Sequence, residues 1–381
     1  MKNIFLIVGF AWFFSCNQKL ETLPDNIFEN LSFSIDTVIV DSGEDFLNLG
    51  SGVFPYGLSQ DLSRIYFFEY KPFKLVEVNL NQLQLIKKTD FEAEGPNGVG
   101  DYLSGLEVGP RGKVYLTSNS TVGIFDQSGI KQENLRFSPS GIDSALSQSF
   151  QSLFFRSSFN FEKRKIYSHP GFPDAGDHLL LIINPDSKSA KSLPLPKMKI
   201  VEKYTGTFTF EEDKGSIIAY YSVRSFLSRL PKAIIISSAA MSGFYRLNIE
   251  TEKLEFVDIQ HQTVPNEIKI EIPQNVSSPE EVRNIQNEIF SNVNFQEILW
   301  DESRQIYFRL GERTFRGETY QDPMRFEYYL FAYDQNFNVL GEAKLKVKDL
   351  KIKSPFFKDG KLWSYVNVED ELGFVVMDFK F

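Results

Sequence analysis

The sequence predicts an all-β protein, a six-bladed β-propeller of four-stranded antiparallel blades, and three observations carry that expectation. A tight polar turn followed by an aliphatic and then an aromatic residue recurs along the chain. Its copies are Arg64-Ile65-Tyr66, Lys113-Val114-Tyr115, Lys165-Ile166-Tyr167, Gln305-Ile306-Tyr307 and Lys361-Leu362-Trp363, with a degenerate copy at Ser216-Ile217-Ile218. From Tyr66 the steps are 49, 52, 51, 89 and 56 residues, and a β-rich unit of about 50 residues is the length of a propeller blade. The second observation is a shared layout inside each repeat. The third is the content of bulky rings, 37 Phe and 16 Tyr in 381 residues, which suits sheets packed face to face.

Each repeat opens on an apolar or alternating run, at residues 52–58, 102–108, 153–161, 204–210, 295–300 and 352–357. A turn follows, such as Pro110-Arg111-Gly112, Asp213-Lys214-Gly215 or Lys358-Asp359-Gly360, whose residues supply the backbone angles of a reversal. The aliphatic-aromatic strand comes next, then a hairpin with a polar tip. The hairpins are 75–88 around Asn79 and Asn81, 122–135 around Asp126 and Gly129, and 179–195 around Asn184-Pro185-Asp186. Two more are 244–257 around Asn248 and Glu250, and 328–345 around Asp334 and Asn336. Short β-branched and aromatic runs between turn clusters read as strands. The last repeat is one strand short, ending at 374–379, while residues 33–40 alternate as a strand should. The N-terminal strand is therefore expected to complete the last blade, since an open blade edge invites aggregation.

Two segments stand outside the repeats. In 260–294, Ser278-Pro279-Glu280-Glu281 reads as a helix start, and Val282, Ile285, Ile289 and Val293 follow at helical spacing. This one inserted helix is expected to seal onto the propeller rim; the sharper reading is a lid or a partner-docking element. Residues 223–242 hold Leu230-Pro231 and Ala233-Ile234-Ile235-Ile236, expected as an extra strand or a buried part of a cap.

Residues 1–15 read as a signal peptide: Met1-Lys2, an apolar run over 4–14, and Ser15 before Cys16. The run is too short to cross a membrane. Cys16 is the only cysteine, and the arrangement resembles a bacterial lipoprotein signal, with Phe13 where leucine is usual. Cys16 is then the lipid-bearing residue, 16–31 a flexible tether, and 32–381 the propeller. The expected location is the cell envelope, lipid-anchored to the outer membrane on its periplasmic or surface side. The net charge of −9 and the lack of a dense Lys/Arg tract argue against nucleic acid as a partner.

In a four-stranded meander the 2–3 turns and the links between blades share one face, and here they hold the long segments 89–101, 138–149, 168–178, 223–242, 260–294 and 311–326. Binding residues gather on such loops, so this face is expected to be the working one. It carries His169, His178 and His261, which could meet at a metal only without any local ligand spacing; no metal and no cofactor are expected. It also carries Arg224, Arg229, Arg309, Arg313 and Arg316, with Tyr320 and Asp322. These could form an anion pocket and orient a sugar; the blander alternative is a solvated network with Glu312, Glu318 and Asp322. The Ser-x-Asp-x-Gly boxes of sialidases are absent, Trp300-Asp301 is an isolated dipeptide, and no phosphate loop, nucleophile elbow or zinc motif occurs.

The link Phe91-Glu92-Ala93-Glu94-Gly95-Pro96-Asn97-Gly98-Val99-Gly100, the lipoprotein-like start and the six repeats together resemble a family of six-bladed propeller lipoproteins of Bacteroidetes, a domain of unknown function. The resemblance spans about residues 33–381. It implies a TolB-like or NHL-like propeller in the envelope and carries over no activity or catalytic residue. The function expected is a lipid-anchored binding or scaffold module for an envelope protein or glycan. The alternative is a hydrolase or lyase acting on an envelope glycan or other polymer at the loop-rich face.

Overall fold

Asn and Asp side chains set where strands stop. In the computed structural model, which describes residues 26–171, 178–212, 215–317, 322–347 and 350–381, Asn79, Asp126, Asn184, Asn248 and Asp334 each accept the backbone N–H two residues on. That bond mimics a backbone turn, and each of these residues starts the tight turn of an outer hairpin. Asp301 does the same between the first two strands of its blade, so Trp300-Asp301 is a turn element.

β1 (Ser32–Ile39) precedes the first complete blade. That blade is β2 (Tyr56–Leu58), β3 (Arg64–Glu69), β4 (Lys74–Asn79) and β5 (Gln84–Asp90). The second is β6 (Leu103–Val108), β7 (Val114–Ser118), β8 (Val122–Phe125) and β9 (Lys131–Asn134). After the single turns α1 (Pro139–Ile142) and α2 (Leu146–Ser149) comes the third: β10 (Arg156–Asn160), β11 (Lys165–His169), β12 (Leu179–Asn184) and β13 (Ser189–Pro194). The turn α3 (Ile200–Lys203) and a separate hairpin, β14 (Gly206–Glu212) with β15 (Gly215–Tyr221), lead to the fourth blade. It comprises β16 (Ser225–Leu230), β17 (Ala233–Ser238), β18 (Phe244–Asn248) and β19 (Leu254–Val257). Then follow α4 (Pro279–Ser291) and the fifth blade, β20 (Asn294–Asp301), β21 (Ile306–Phe315), β22 (Arg325–Tyr333) and β23 (Val339–Leu345). The sixth is β24 (Phe356–Lys358), β25 (Lys361–Val368) and β26 (Glu371–Lys380), completed by β1. β1 runs antiparallel to β26 from Ser32 opposite Lys380 to Ile39 opposite Gly373. The expected closure of the ring by the N-terminal strand holds.

Three expectations need correction. The fourth blade is not built on 204–210 and Ser216-Ile217-Ile218; those residues belong to the link that carries the β14–β15 hairpin, and the first two strands of the blade, β16 and β17, lie in 223–242. The local signals of the two are alike, a turn before an aliphatic run, but burial separates them. Every residue of β17 is buried, whereas Ser216, Ile217 and Ile218 are exposed. The inserted helix α4 is joined by the three four-residue turns α1, α2 and α3. Finally, Asn26 to Leu31, expected in the tether, lie against the fifth blade: Ile27 donates its N–H to Leu340 O, and Phe28 is buried.

The hydrophobic core is divided among the interfaces between neighbouring blades, and the aromatic of the repeat points into them. Tyr115 stacks on Phe159 of the next blade at 5.5 Å, and Phe308, next to the repeat's Tyr307, stacks on Phe357 at 4.5 Å. The interface of the third and fourth blades is the widest. Tyr167, Leu180, Ile234 and Leu247 share it with Val201, Tyr221 and the α4 residues Val282, Ile285 and Ile289. α4 thus seals onto the rim. Ser278 caps it by accepting the Glu281 N–H at 3.2 Å, and the Glu281 carboxylate accepts the N–H of Ser277 at 2.7 Å.

Candidate functional site

The innermost strands, β2, β6, β10, β16, β20 and β24, touch in that order around a central channel. They approach closely: a Cβ at Gly57 would collide with the Leu106 side chain. Each inner strand turns one free edge to the channel, and its polar backbone groups there need partners. Side chains from the flanking blades supply them. On β10, the Phe159 N–H donates to Glu107 Oε2 at 3.1 Å, and its carbonyl accepts from Arg229 Nη1 at 2.8 Å. Glu107 and Arg229 themselves stand 3.9 Å apart. Burial pushes the Glu107 carboxyl up, against the pull of Arg229 and hydrogen bonds from Ser158 and the Phe159 N–H. Arg229 is therefore part of the channel wall.

Nearer the loop-rich mouth, Arg156 Nε donates to Ser225 O at 2.8 Å and Tyr56 Oη to Pro355 O at 2.9 Å. Burial lowers Arg156 to about 10. Two charged groups at this level have no such partner. Arg224, just before β16, is exposed, and Glu297, in the bulge of β20, is open to water yet ringed by protein. Among the described residues neither side chain makes a hydrogen bond or an ion pair. Burial raises the Glu297 carboxyl and Arg224 partly offsets this; Tyr56 in turn feels Glu297. Groups of the first and fifth blades and of the link into the fourth are so coupled electrostatically at this level.

The histidines divide. His169 and His178 stack at 5.8 Å. Burial, with Arg156 beside it, holds His169 at about 3, so the ring is neutral and its Nδ1–H donates to Leu179 O at 2.9 Å. Burial lowers His178 as well, opposed by Glu202 Oε1 at 3.2 Å from its Nε2. His261 lies between the fourth and fifth blades, stacked on Phe331 at 3.9 Å, with Nε2 3.1 Å from Tyr333 Oη and Nδ1 3.2 Å from Glu342 Oε1. Burial alone would raise Glu342, but bonds from His261 and Thr263 hold it at about 2. The three histidines do not converge, and among the described residues no three His, Cys, Asp or Glu side chains gather as metal ligands.

The arginines divide too. Arg309 is fully buried and clamps three carbonyls: Gln296 O at 2.7 Å, Ser238 O at 3.2 Å, and Ser242 O. It ties the fourth blade to the fifth. Arg313 donates to Ser291 O at 2.6 Å and sits 4.9 Å from the Phe315 ring, while Arg316 sits 5.6 Å from Phe290. Both belong to the outer rim of the fifth blade. Asp322 is exposed near Gly317; Tyr320 and Cys16 lie outside the described residues. One anion pocket holding all the arginines is therefore not what the structure builds.

Arg156, Glu107, Glu297 and Tyr56 were not expected from the sequence. The available signal was a charge inside an apolar inner-strand run, as in Leu106-Glu107-Val108.

The sequence matches the family described as Domain of unknown function (DUF4221) over residues 28–344. A crystal structure of a member of that family from Bacteroides vulgatus superposes with a TM-score of 0.65 at 13% identity, covering 92% of this chain and 98% of that one. Hydrazine synthase of Kuenenia stuttgartiensis gives 0.40 at 8% identity, covering 87% and 78%. A putative 6-phosphogluconolactonase from Bacteroides fragilis gives 0.38 at 9%, covering 89% of each chain. No protein of curated function matches. With 28–344 aligned and the propeller shared along nearly its whole length, the chain belongs to the DUF4221 family.

Proposed function

We propose that this protein is an envelope binding module, held to the outer membrane by lipid on Cys16, that receives a protein or glycan partner at the channel mouth of its loop-rich face. The observation that carries the reading is the unpaired Arg224 and Glu297 at that mouth. Elsewhere near the channel, Arg156, Arg229, Arg309 and Glu107 are committed to backbone groups. Two opposite charges held apart suit a polar group bearing both an anion and a donor, as an acidic sugar or a peptide terminus does. In the link that leads to Arg224, β15 exposes Ile218 and Tyr220 at 68% and 66%, apolar surface that a partner would cover. A thermal-shift screen against acidic envelope glycans and peptides tests this. A ligand at a hundred times its Kd adds about 2.7 kcal/mol, a rise of several degrees in Tm that the Arg224→Ala/Glu297→Ala double variant should lack. An equal rise in both proteins would place the site elsewhere.

The raised Glu297 carboxyl favours one second reading, a general acid in a glycan hydrolase or lyase. That reading requires turnover of envelope polymer by the purified protein, lost in Glu297→Gln.

A further inference from the structure

Among the described residues, the outer rim of the fifth blade, away from the channel, sets several cations around the carboxylate of Glu327. Glu327 is 3.0 Å from Lys344 and 3.4 Å from Arg313, and Arg325 adds its charge to the same carboxylate, which is held below the usual range. One carboxylate thus serves three cations. Arg325, Lys344 and Lys346 are exposed and line a groove of about 440 Å³ with Phe326, Leu345 and Val347. Lys351 sits 5.4 Å from the Phe326 ring, Arg325 4.5 Å from Phe315, and Met324 is 47% exposed. In a chain of net charge −9 the described residues of this rim are mostly cationic, and rings and thioether among cations match an interface that is anionic outside and apolar beneath.

The described chain also begins beside this rim. Asn26 donates to Glu342 O at 3.0 Å and accepts the Glu342 N–H at 3.1 Å, two residues before Lys344. Cys16 is ten residues earlier in the sequence, and ten residues reach at most about 36 Å. A lipid on Cys16 would therefore lie within about 36 Å of Asn26, which is held at Glu342 two residues before Lys344.

We propose that this rim is a docking surface for anionic lipid headgroups, with Arg325, Lys344 and Lys346 taking the phosphates. The choice of a membrane over other polyanions rests on the anchoring reading; the patch itself does not. The test uses the full chain carrying Cys16→Ser, with and without Arg325→Glu/Lys344→Glu/Lys346→Glu, sedimented with vesicles of phosphatidylcholine alone or rich in phosphatidylglycerol. The intact patch should prefer the anionic vesicles, and the triple variant should lose that preference by a factor on the order of a hundred. High salt should abolish it, because screening shortens to about 3 Å at 1 M. Equal binding to both vesicles, an unchanged triple variant, or retention on soluble heparin without vesicle binding overturns the proposal. If the triple variant melts early, the Gln versions of the same residues replace it, with a smaller loss expected. Labelled palmitate on the unmodified chain reads the anchor separately, so failure of acylation and failure of the patch are distinct results.

Discussion

Arg309 and Arg224 carry the same charge to opposite ends. Arg309 spends its guanidinium on three carbonyls in the interior, while Arg224 stands in water, its charge acting on Glu297. Both were legible as candidates in the sequence; their difference was not, because it depends on which backbone groups a folded neighbour leaves unpaired. The histidines teach the same lesson, since His169 is buried as a neutral donor. Its value in the fold, about 3, lies below the ordinary 6.5. Below pH 6.5 the unfolded chain takes up a proton that the folded chain refuses, so the contribution is complete above 6.5 and erodes toward 3. At pH 4.5 the loss is roughly 2 to 3 kcal/mol. Glu342, at about 2 against 4.5, adds a further loss only below 4.5. Urea unfolding at pH 7 and pH 4.5 should show the drop in the wild type and a drop smaller by roughly 2 kcal/mol in His169→Gln. Identical drops would contradict the neutral, buried assignment.

Most elements were readable because turn chemistry and strand alternation are local, and so were the cap and apolar stripe of α4. The fourth blade was not, since β15 and β17 look alike along the chain and only the second is enclosed on both faces. What distinguishes them is distant packing: β14–β15 leans on α4, and α4 on β15 and β21. The cap is therefore one unit. Proline within α4 removes a helix bond and costs about 3 kcal/mol or more. Ile285→Pro should melt α4 and make residues 206–221 sensitive to limited proteolysis while the blade strands stay protected from hydrogen exchange. Unchanged cleavage at the hairpin would show that it stands without the helix.

At the scale of the whole molecule, the ring exists because β1 crosses from one end of the chain to the other. It pairs with β26 over eight positions, and Phe33 meets Phe379 with ring centroids 5.8 Å apart. Deleting residues 32–39 exposes β26 as an edge. Size-exclusion chromatography should then show concentration-dependent oligomers, and a monomer of unchanged Tm would mean that closure adds nothing. The closure was visible in the sequence as one strand missing at the end and one to spare at the start. The channel site was hidden because its residues come from different blades and meet only once the ring is shut. In the reading proposed above, the loop-rich mouth is where this protein meets its partner. A photo-reactive residue in native envelopes tests that most directly, placed at Tyr220 on the loop-rich face or at Asn81 on the opposite face. An adduct should form from position 220, be lost when Arg224→Glu is added, and be absent from position 81. Adducts from position 81, or an adduct at 220 indifferent to Arg224, would contradict it.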